Sequence, residues 1–99
     1  MQQTDLIEKI KGALNEVHAS NSQTAIKNHL QNAARSLNLI ETNRDLFLRY
    51  SADLLQMISA EVSFQKLNNK TKEPFSDSFF RSFEILKKEI FQALQNLSK

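Results

Sequence analysis

The sequence contains no cysteine, one glycine and one proline in 99 residues. Without cysteine, the chain cannot form a disulfide, present a reactive thiol or supply the thiolate ligands of a zinc site. β-Sandwiches and α/β folds need turn residues such as glycine and proline at many positions, whereas long helices joined by short polar segments need almost none. Because only Gly12 and Pro74 are available for such turns, the sequence predicts an all-α fold.

Long apolar runs are also missing. The sequence has no stretch of about 18 apolar residues, which is the length that a bilayer-spanning helix needs. Its first residues do not combine a basic segment with an apolar run, as a secretion signal does. Together with the lack of cysteine, these features predict a cytoplasmic protein, with peripheral contact at a membrane as a second option.

Charge of one sign is not concentrated in any segment. Lysine and arginine total 13, aspartate and glutamate total 11, and the formal net charge is +2. Nucleic-acid-binding proteins usually gather their basic residues in a patch or stripe. Since basic and acidic residues are interleaved along this chain, we expect no nucleic-acid partner.

Apolar residues recur every three to four positions in four segments, which is the spacing of amphipathic helices. The predicted helices span about residues 5–18, 23–39, 43–66 and 77–97. Four such helices with short connections predict one domain over residues 1–99, folded as an antiparallel up-down four-helix bundle. The predicted N-caps are Thr4, either Ser20 (with Gln23) or Ser22, Thr42 (with Asp45) and Ser76.

The third predicted helix carries two neighbouring apolar stripes, so we expect it to contact two other helices. Glu61 falls inside this apolar arc, where a carboxylate must either reach solvent near the helix end or find a buried partner. In the second helix, Ala33 and Ala34 are small enough to let a neighbouring helix approach closely. The first stripe of the third helix holds Phe47, Ser51, Leu54, Leu55, Ile58 and Val62, and the second holds Leu46, Tyr50, Met57 and Phe64.

The sequence carries no motif typical of a catalytic or metal site. The two histidines, His18 and His29, have no second ligand at metal-binding spacing, and the Glu-x-x-His motif of di-iron bundles is absent. A glycine-rich phosphate loop cannot be built from one glycine. We therefore expect no enzymatic activity, no cofactor and no metal, and we expect both histidines to be half-exposed packing residues.

Aromatic residues are absent from residues 1–46, and all of them lie between Phe47 and Phe91. One interpretation is that the third and fourth helices supply the bulky part of the core, while the first two supply aliphatic residues and alanines. Within the fourth helix, the spacing of Phe79 and Phe83 places both in the core stripe.

Phe75, which precedes the fourth helix, and Phe80 within it are placed as a hydrophobic staple around the Ser76 cap. Phe80 also allows a second interpretation, together with Phe91. Phe80 and Phe91 lie on the same side of the core stripe, where they either extend the core onto a neighbouring helix or form an exposed patch. A patch with a basic rim would suit an acidic protein surface or a complex at a membrane. The candidate partner-binding residues are Lys70, Lys72, Phe80, Arg81, Lys87 and Phe91.

Four segments of the chain carry a family resemblance: LIEKIKGALNEVHAS, AIKNHLQNAARSLNL, LFLRYSADLLQMISAEVSFQKL and FSDSFFRSFEILKKEI. In their order and residue pattern they resemble the four helices of the enterocin A-type immunity proteins. That family protects Gram-positive bacteria from class IIa, pediocin-like bacteriocins. The resemblance covers nearly the whole chain as a pattern and includes no single diagnostic motif.

This resemblance implies a cytosolic four-helix bundle that functions by binding. Such immunity proteins act inside the cell, at the mannose phosphotransferase permease that the bacteriocin uses as its receptor, and their C-terminal half selects the bacteriocin. The aromatic half of this chain corresponds by position to that half. The implied partner is therefore the permease with bound bacteriocin, and the expected state of the protein is a monomer or weak dimer.

A second hypothesis is a small helical adaptor or chaperone of phage, plasmid or secretion-system origin. Such a protein would bury Phe80 and Phe91 in an obligate partner or in a homodimer. The two hypotheses differ in oligomeric state, because a tight dimer that covers the fourth helix favours the adaptor.

Overall fold

A computed structural model describes residues 3–20, 22–68 and 75–97, which form four α-helices and no strand. The helices are α1 (Gln3–Ala19), α2 (Gln23–Asn38), α3 (Arg44–Asn68) and α4 (Asp77–Leu97). Every helix limit lies within two residues of its predicted position. The predicted all-α class and the antiparallel four-helix bundle are confirmed.

The helices pack in a ring that follows their order in the chain. α2 lies between α1 and α3, and α4 closes the ring by contacting both α3 and α1. The described part of the chain contains no helix that is both long and apolar enough to cross a membrane. The core is formed by side chains with no exposed surface from all four helices: Ile10, Leu14, Val17, Ile26, Leu30, Ala33, Leu37, Phe47, Leu54, Phe83, Ile90 and Leu94.

The structure tests the predicted N-caps of α1 and α2. The Ser22 hydroxyl oxygen accepts a hydrogen bond of 3.0 Å from the backbone N–H of Ala25, which is the geometry of an N-cap. Ser20 instead donates its hydroxyl to the backbone carbonyl of Glu16 at 2.9 Å. Ser22 is therefore the cap of α2. Thr4 lies inside α1, so its prediction as the cap of that helix is wrong.

The start of α3 depends on one residue in an unusual backbone conformation. Asn43 has a φ of 54°, in the left-handed region that asparagine tolerates better than most residues. Its carbonyl accepts hydrogen bonds from the backbone N–H groups of Leu46 (3.0 Å) and Phe47 (3.2 Å). Asn43, immediately before the first helical residue Arg44, is therefore in the cap position, one residue after the predicted cap, Thr42.

The spacing between helices is uneven around the ring. The backbone of α2 lies close to both α1 and α3, whereas the backbone of α4 lies farther from its two neighbours. Interhelical distance follows the size of the side chains at the contact. Ala33 and Ala34 are buried in α2, while Phe79 and Phe83 are buried in α4. The close approach that the alanine pair predicted is confirmed.

α3 contacts both α2 and α4, as its wide apolar arc predicted. Most of its first stripe is buried, but Leu55, which the sequence placed on the same face, is 44% exposed. In the second stripe, Leu46, Tyr50 and Met57 are half-buried and Phe64 is 44% exposed. The second stripe therefore faces α4 without being fully covered by it.

The phenylalanines of α4 should differ in their contributions to stability. Phe83 has no exposed surface, whereas Phe80 and Phe91 are half-buried at the edge of the core. We expect Phe83→Ala to lower the unfolding free energy by about 3–5 kcal/mol, as for buried phenylalanines elsewhere. Phe80→Ala and Phe91→Ala should each cost about 1–2 kcal/mol, because part of each ring is already in water. Urea denaturation measures all three; equal losses would place Phe80 and Phe91 in the core.

Candidate functional site

A polar cluster connects three helices at one end of the bundle. It consists of Gln23 at the start of α2, Glu61 and Gln65 near the end of α3, and Ser76 immediately before α4. Glu61 is 6% exposed and Gln65 is 7% exposed, so both are buried. A buried carboxylate is costly unless its oxygens accept hydrogen bonds, so the partners of Glu61 decide whether the cluster is stable.

Glu61 accepts three hydrogen bonds from described residues. One carboxylate oxygen, Oε2, accepts from the backbone N–H of Ser76 at 3.0 Å and from the side-chain amide of Gln65 at 2.9 Å. The other, Oε1, accepts from the Ser76 hydroxyl at 2.8 Å. The Gln65 carbonyl oxygen accepts in turn from the Gln23 amide. Of the two alternatives considered for Glu61, the structure supports a buried carboxylate with partners.

Ser76 has two roles in this cluster. Its hydroxyl donates to Glu61 and also accepts from the backbone N–H of Phe79 at 3.2 Å, which confirms Ser76 as the N-cap of α4. One side chain therefore both satisfies the first turn of α4 and attaches that turn to α3. The sequence predicted the cap and the need of Glu61 for a partner, but it did not connect them.

An aromatic cluster adjoins the polar one. The ring of Phe75 packs on Phe79, with centroids 4.6 Å apart, and Phe79 lies parallel to Phe83 at 6.2 Å. Phe80 meets the edge of Phe79 at 5.3 Å. The His18 ring, from the end of α1, lies 5.8 Å from Phe80 and 5.4 Å from Phe83. The close ring neighbour of Phe75 is thus Phe79, one position before the Phe80 predicted for the staple.

His18 also contacts α4 through a polar group. Its Nε2 atom lies 2.7 Å from a carboxylate oxygen of Glu84, and both side chains are more than two-fifths exposed. An exposed pair of this kind contributes little to stability, about 0–1 kcal/mol. Among the described residues, no group of three or more His, Cys, Asp or Glu side chains is arranged to hold a metal ion. The ring contacts of His18 with Phe80 and Phe83, together with its exposure, make it a half-exposed packing residue, as predicted.

The outer surface between α3 and α4 is an open groove. Because the two helices are antiparallel, residue numbers fall along one wall while they rise along the other. We call this surface the α3–α4 groove; its α3 wall is formed by Asp53, Gln56, Met57, Ala60 and Phe64, and its α4 wall by Ser78, Ser82, Ile85 and Glu89.

The α3–α4 groove combines an apolar half with an acidic end. Ala60 and Ser82 are small and leave its middle open, while Met57 and Ile85 form its sides. Ile85 is 64% exposed, so most of its side chain faces the groove or solvent. Asp53 and Glu89 lie at the end farther from the polar cluster. The groove therefore offers both apolar contact area and negative charge.

Tyr50 lies where the same helix–helix surface continues beyond the acidic end, with Gln92 and Lys88 on the α4 side. Partial burial and then the Glu89 carboxylate raise the pKa of the Tyr50 phenol above its usual 10.0. Asp53 acts in the same direction and Arg49 in the opposite one. Both acidic side chains therefore lie close enough to influence one ring.

Three candidate residues of the sequence analysis, Phe80, Lys87 and Phe91, are not among the residues that line this groove. Phe80 faces α1 through His18, and helical spacing places Lys87 and Phe91 on the same flank of α4. The Lys87 ammonium lies 5.6 Å from the centre of the Phe91 ring, within the range of a cation–π contact. Phe80 and Phe91 both pack against the core and are half-buried, which favours the interpretation that they extend it.

The remaining candidates are basic. Arg81 is exposed on α4, and Lys70 and Lys72 lie outside the described residues. Sequence reasoning did not identify Met57, Ala60, Ser82 and Ile85 as neighbours. The available signal was the second apolar stripe of α3, since a stripe that lacks a bulky partner on the facing helix remains open.

The chain was compared with protein-family models, curated proteins and solved structures. No protein-family model matches the chain, and searches of curated proteins and of solved structures gave no match.

Replacing Glu61 by glutamine tests the polar cluster. Glutamine keeps one acceptor oxygen but turns an NH₂ group toward donors that the carboxylate now satisfies, so Glu61→Gln should cost about 1–3 kcal/mol of unfolding free energy. Amide hydrogen exchange at Ser76 and Phe79 should also accelerate, because the first turn of α4 loses its attachment. The control is Glu16→Gln, an exposed site on α1, expected to change stability by less than about 0.5 kcal/mol. Equal effects of the two variants would contradict the role given to Glu61.

Tyr50 gives a pH-dependent prediction, because it is the only tyrosine of the chain. In the folded protein its phenol should ionise above pH 10.0, and in urea near 10.0. The contribution of the neutral phenol to stability is complete below pH 10.0 and is lost as the pH rises through the folded pKa. Tyrosinate absorbance measures the midpoint. Glu89→Gln should lower the folded midpoint partway toward that of the unfolded chain, since burial makes the larger contribution. A folded midpoint at or below the unfolded one would contradict this account.

Proposed function

We propose that this protein acts by binding a protein partner through the half of the bundle formed by α3 and α4. The observation that carries the proposal is the α3–α4 groove, with Ile85 64% exposed beside the half-buried Met57. Exposed apolar side chains rimmed by polar and charged ones are a feature of protein–protein interaction sites. Aromatic and methionine side chains are also enriched at protein interfaces.

We further propose that the binding function is bacteriocin immunity of the enterocin A type. Support comes from the order and residue pattern of the four helical segments, which resemble those of that family. In the family, the C-terminal half selects the bacteriocin. In this chain the same half carries every aromatic residue and both walls of the groove.

The partner proposed on this basis is the mannose phosphotransferase permease with bound bacteriocin, reached from the cytoplasmic face of the membrane. A protein with this role needs a surface that recognises a protein complex. The α3–α4 groove is the best-supported surface for that contact, because it joins apolar side chains to charged ones within one continuous depression.

A homodimeric adaptor is the second candidate function. It is favoured by the same exposed side chains, because a second copy could cover Phe64, which is 44% exposed, and Ile85. Light scattering separates the two candidates. A tight dimer that protects α4 from hydrogen exchange favours the adaptor, and a monomer at micromolar concentration favours immunity.

Expression in a strain sensitive to class IIa bacteriocins tests the immunity function. Cells that produce the protein should survive at least one member of a broad bacteriocin panel at concentrations that kill cells carrying the empty vector. Ile85→Glu should reduce this protection, because it places a charge in the apolar half of the groove. The control is Leu39→Glu, since Leu39 is 59% exposed outside the groove. Failure of the wild-type protein to protect against any member would overturn the function.

A further inference from the structure

We infer that the α3–α4 groove holds an amphipathic helix that presents an apolar stripe to Met57, Ala60, Ser82 and Ile85 and basic side chains to Asp53 and Glu89. This inference rests on the proposed binding function and specifies the chemistry of the partner. Its basis is the arrangement of apolar, small and acidic side chains along the groove.

The dimensions of the groove suit a helix. The α3 wall from Asp53 to Phe64 extends over roughly 16 Å at 1.5 Å per residue, which equals about three helical turns. An incoming helix would place side chains at i, i+3, i+4 and i+7 along this distance. Ala60 and Ser82 occupy the middle of the two walls. Small residues at that position let another helix approach closely.

The charge of the groove favours a basic partner. Asp53 and Glu89 lie on opposite walls of the same section, and both act on the Tyr50 phenol. Their joint negative charge complements lysine or arginine on an incoming helix. Among the described residues that line this section, Asp53 and Glu89 are the charged ones. Lys88 lies in the adjoining hollow with Glu89 and Tyr50, and Arg49 also acts on the Tyr50 phenol.

The same charges disfavour one arrangement of a second copy of this chain. A symmetric dimer uses the same surface on both subunits. If the two grooves ran parallel, the acidic pair of one copy would lie near that of the other, and like charges at such an interface oppose association. The acidic pair attracts a basic helix instead.

Calorimetric titration with two synthetic peptides tests this inference. The first peptide is an alanine-based helix of roughly 18 residues, with leucines at i, i+3, i+4 and i+7 and a lysine pair one turn beyond. The second replaces both lysines by glutamate. We expect the lysine peptide to bind the protein at least about tenfold more tightly than the glutamate peptide, because the lysines face Asp53 and Glu89.

Protein variants locate the binding surface. Asp53→Asn combined with Glu89→Gln should weaken binding of the lysine peptide roughly three- to tenfold and reduce its salt dependence. Ile85→Ala should weaken binding roughly fivefold or more. The matched control is Leu39→Ala, since Leu39 (59% exposed) and Ile85 (64% exposed) are similar aliphatic residues. Urea denaturation of each variant verifies that it is folded.

Three results would overturn the inference: equal affinity for the two peptides, equal effects of Ile85→Ala and Leu39→Ala, or a homodimer that buries the groove. Failure here is distinct from failure of the proposed function. If the wild-type protein protects cells but does not distinguish the peptides, the helical partner is wrong and immunity stands. If the peptides behave as expected but no bacteriocin is countered, immunity is wrong and the groove remains a site for basic helices.

Discussion

The buried Glu61 carboxylate is the contact on which the placement of α4 depends. It accepts from the backbone and the hydroxyl of Ser76, so it fixes the first turn of α4 against the end of α3. Through Gln65 the same cluster reaches Gln23 at the start of α2. Breaking one member of such a network leaves its partners buried without hydrogen bonds, which costs more than the net value of one bond.

Helix spacing then determines which surfaces remain open. Alanines in α2 allow close packing on both sides, whereas α4 meets the bundle through phenylalanine rings. Phe79 lines the space between α3 and α4, and its ring packs on those of Phe75 and Phe83. Residues on the outside of that contact, such as Ala60 and Ser82, are too small to close the gap. The groove is therefore a consequence of core composition.

Much of the fold could be predicted because it depends on local patterns. The spacing of Phe79 and Phe83 and the cap at Ser76 each follow from a few adjacent residues. The groove could not be predicted in the same way. Helical periodicity gives the direction of Met57 and Ile85 around their own helices, but not the distance between those helices. Phe80 shows the same limit, because its position around α4 follows from the sequence while its burial depends on packing against His18 of α1.

The Glu61–Ser76 contact also has a consequence for how freely the chain between α3 and α4 can change. The register of the two helices is set by side chains within and immediately before them. The length of the connecting segment is therefore not what sets the relative position of α3 and α4. Lengthening a flexible connection costs only about 0.6 kcal/mol per doubling. Related chains could thus acquire insertions between residues 68 and 75 during evolution while keeping the same groove.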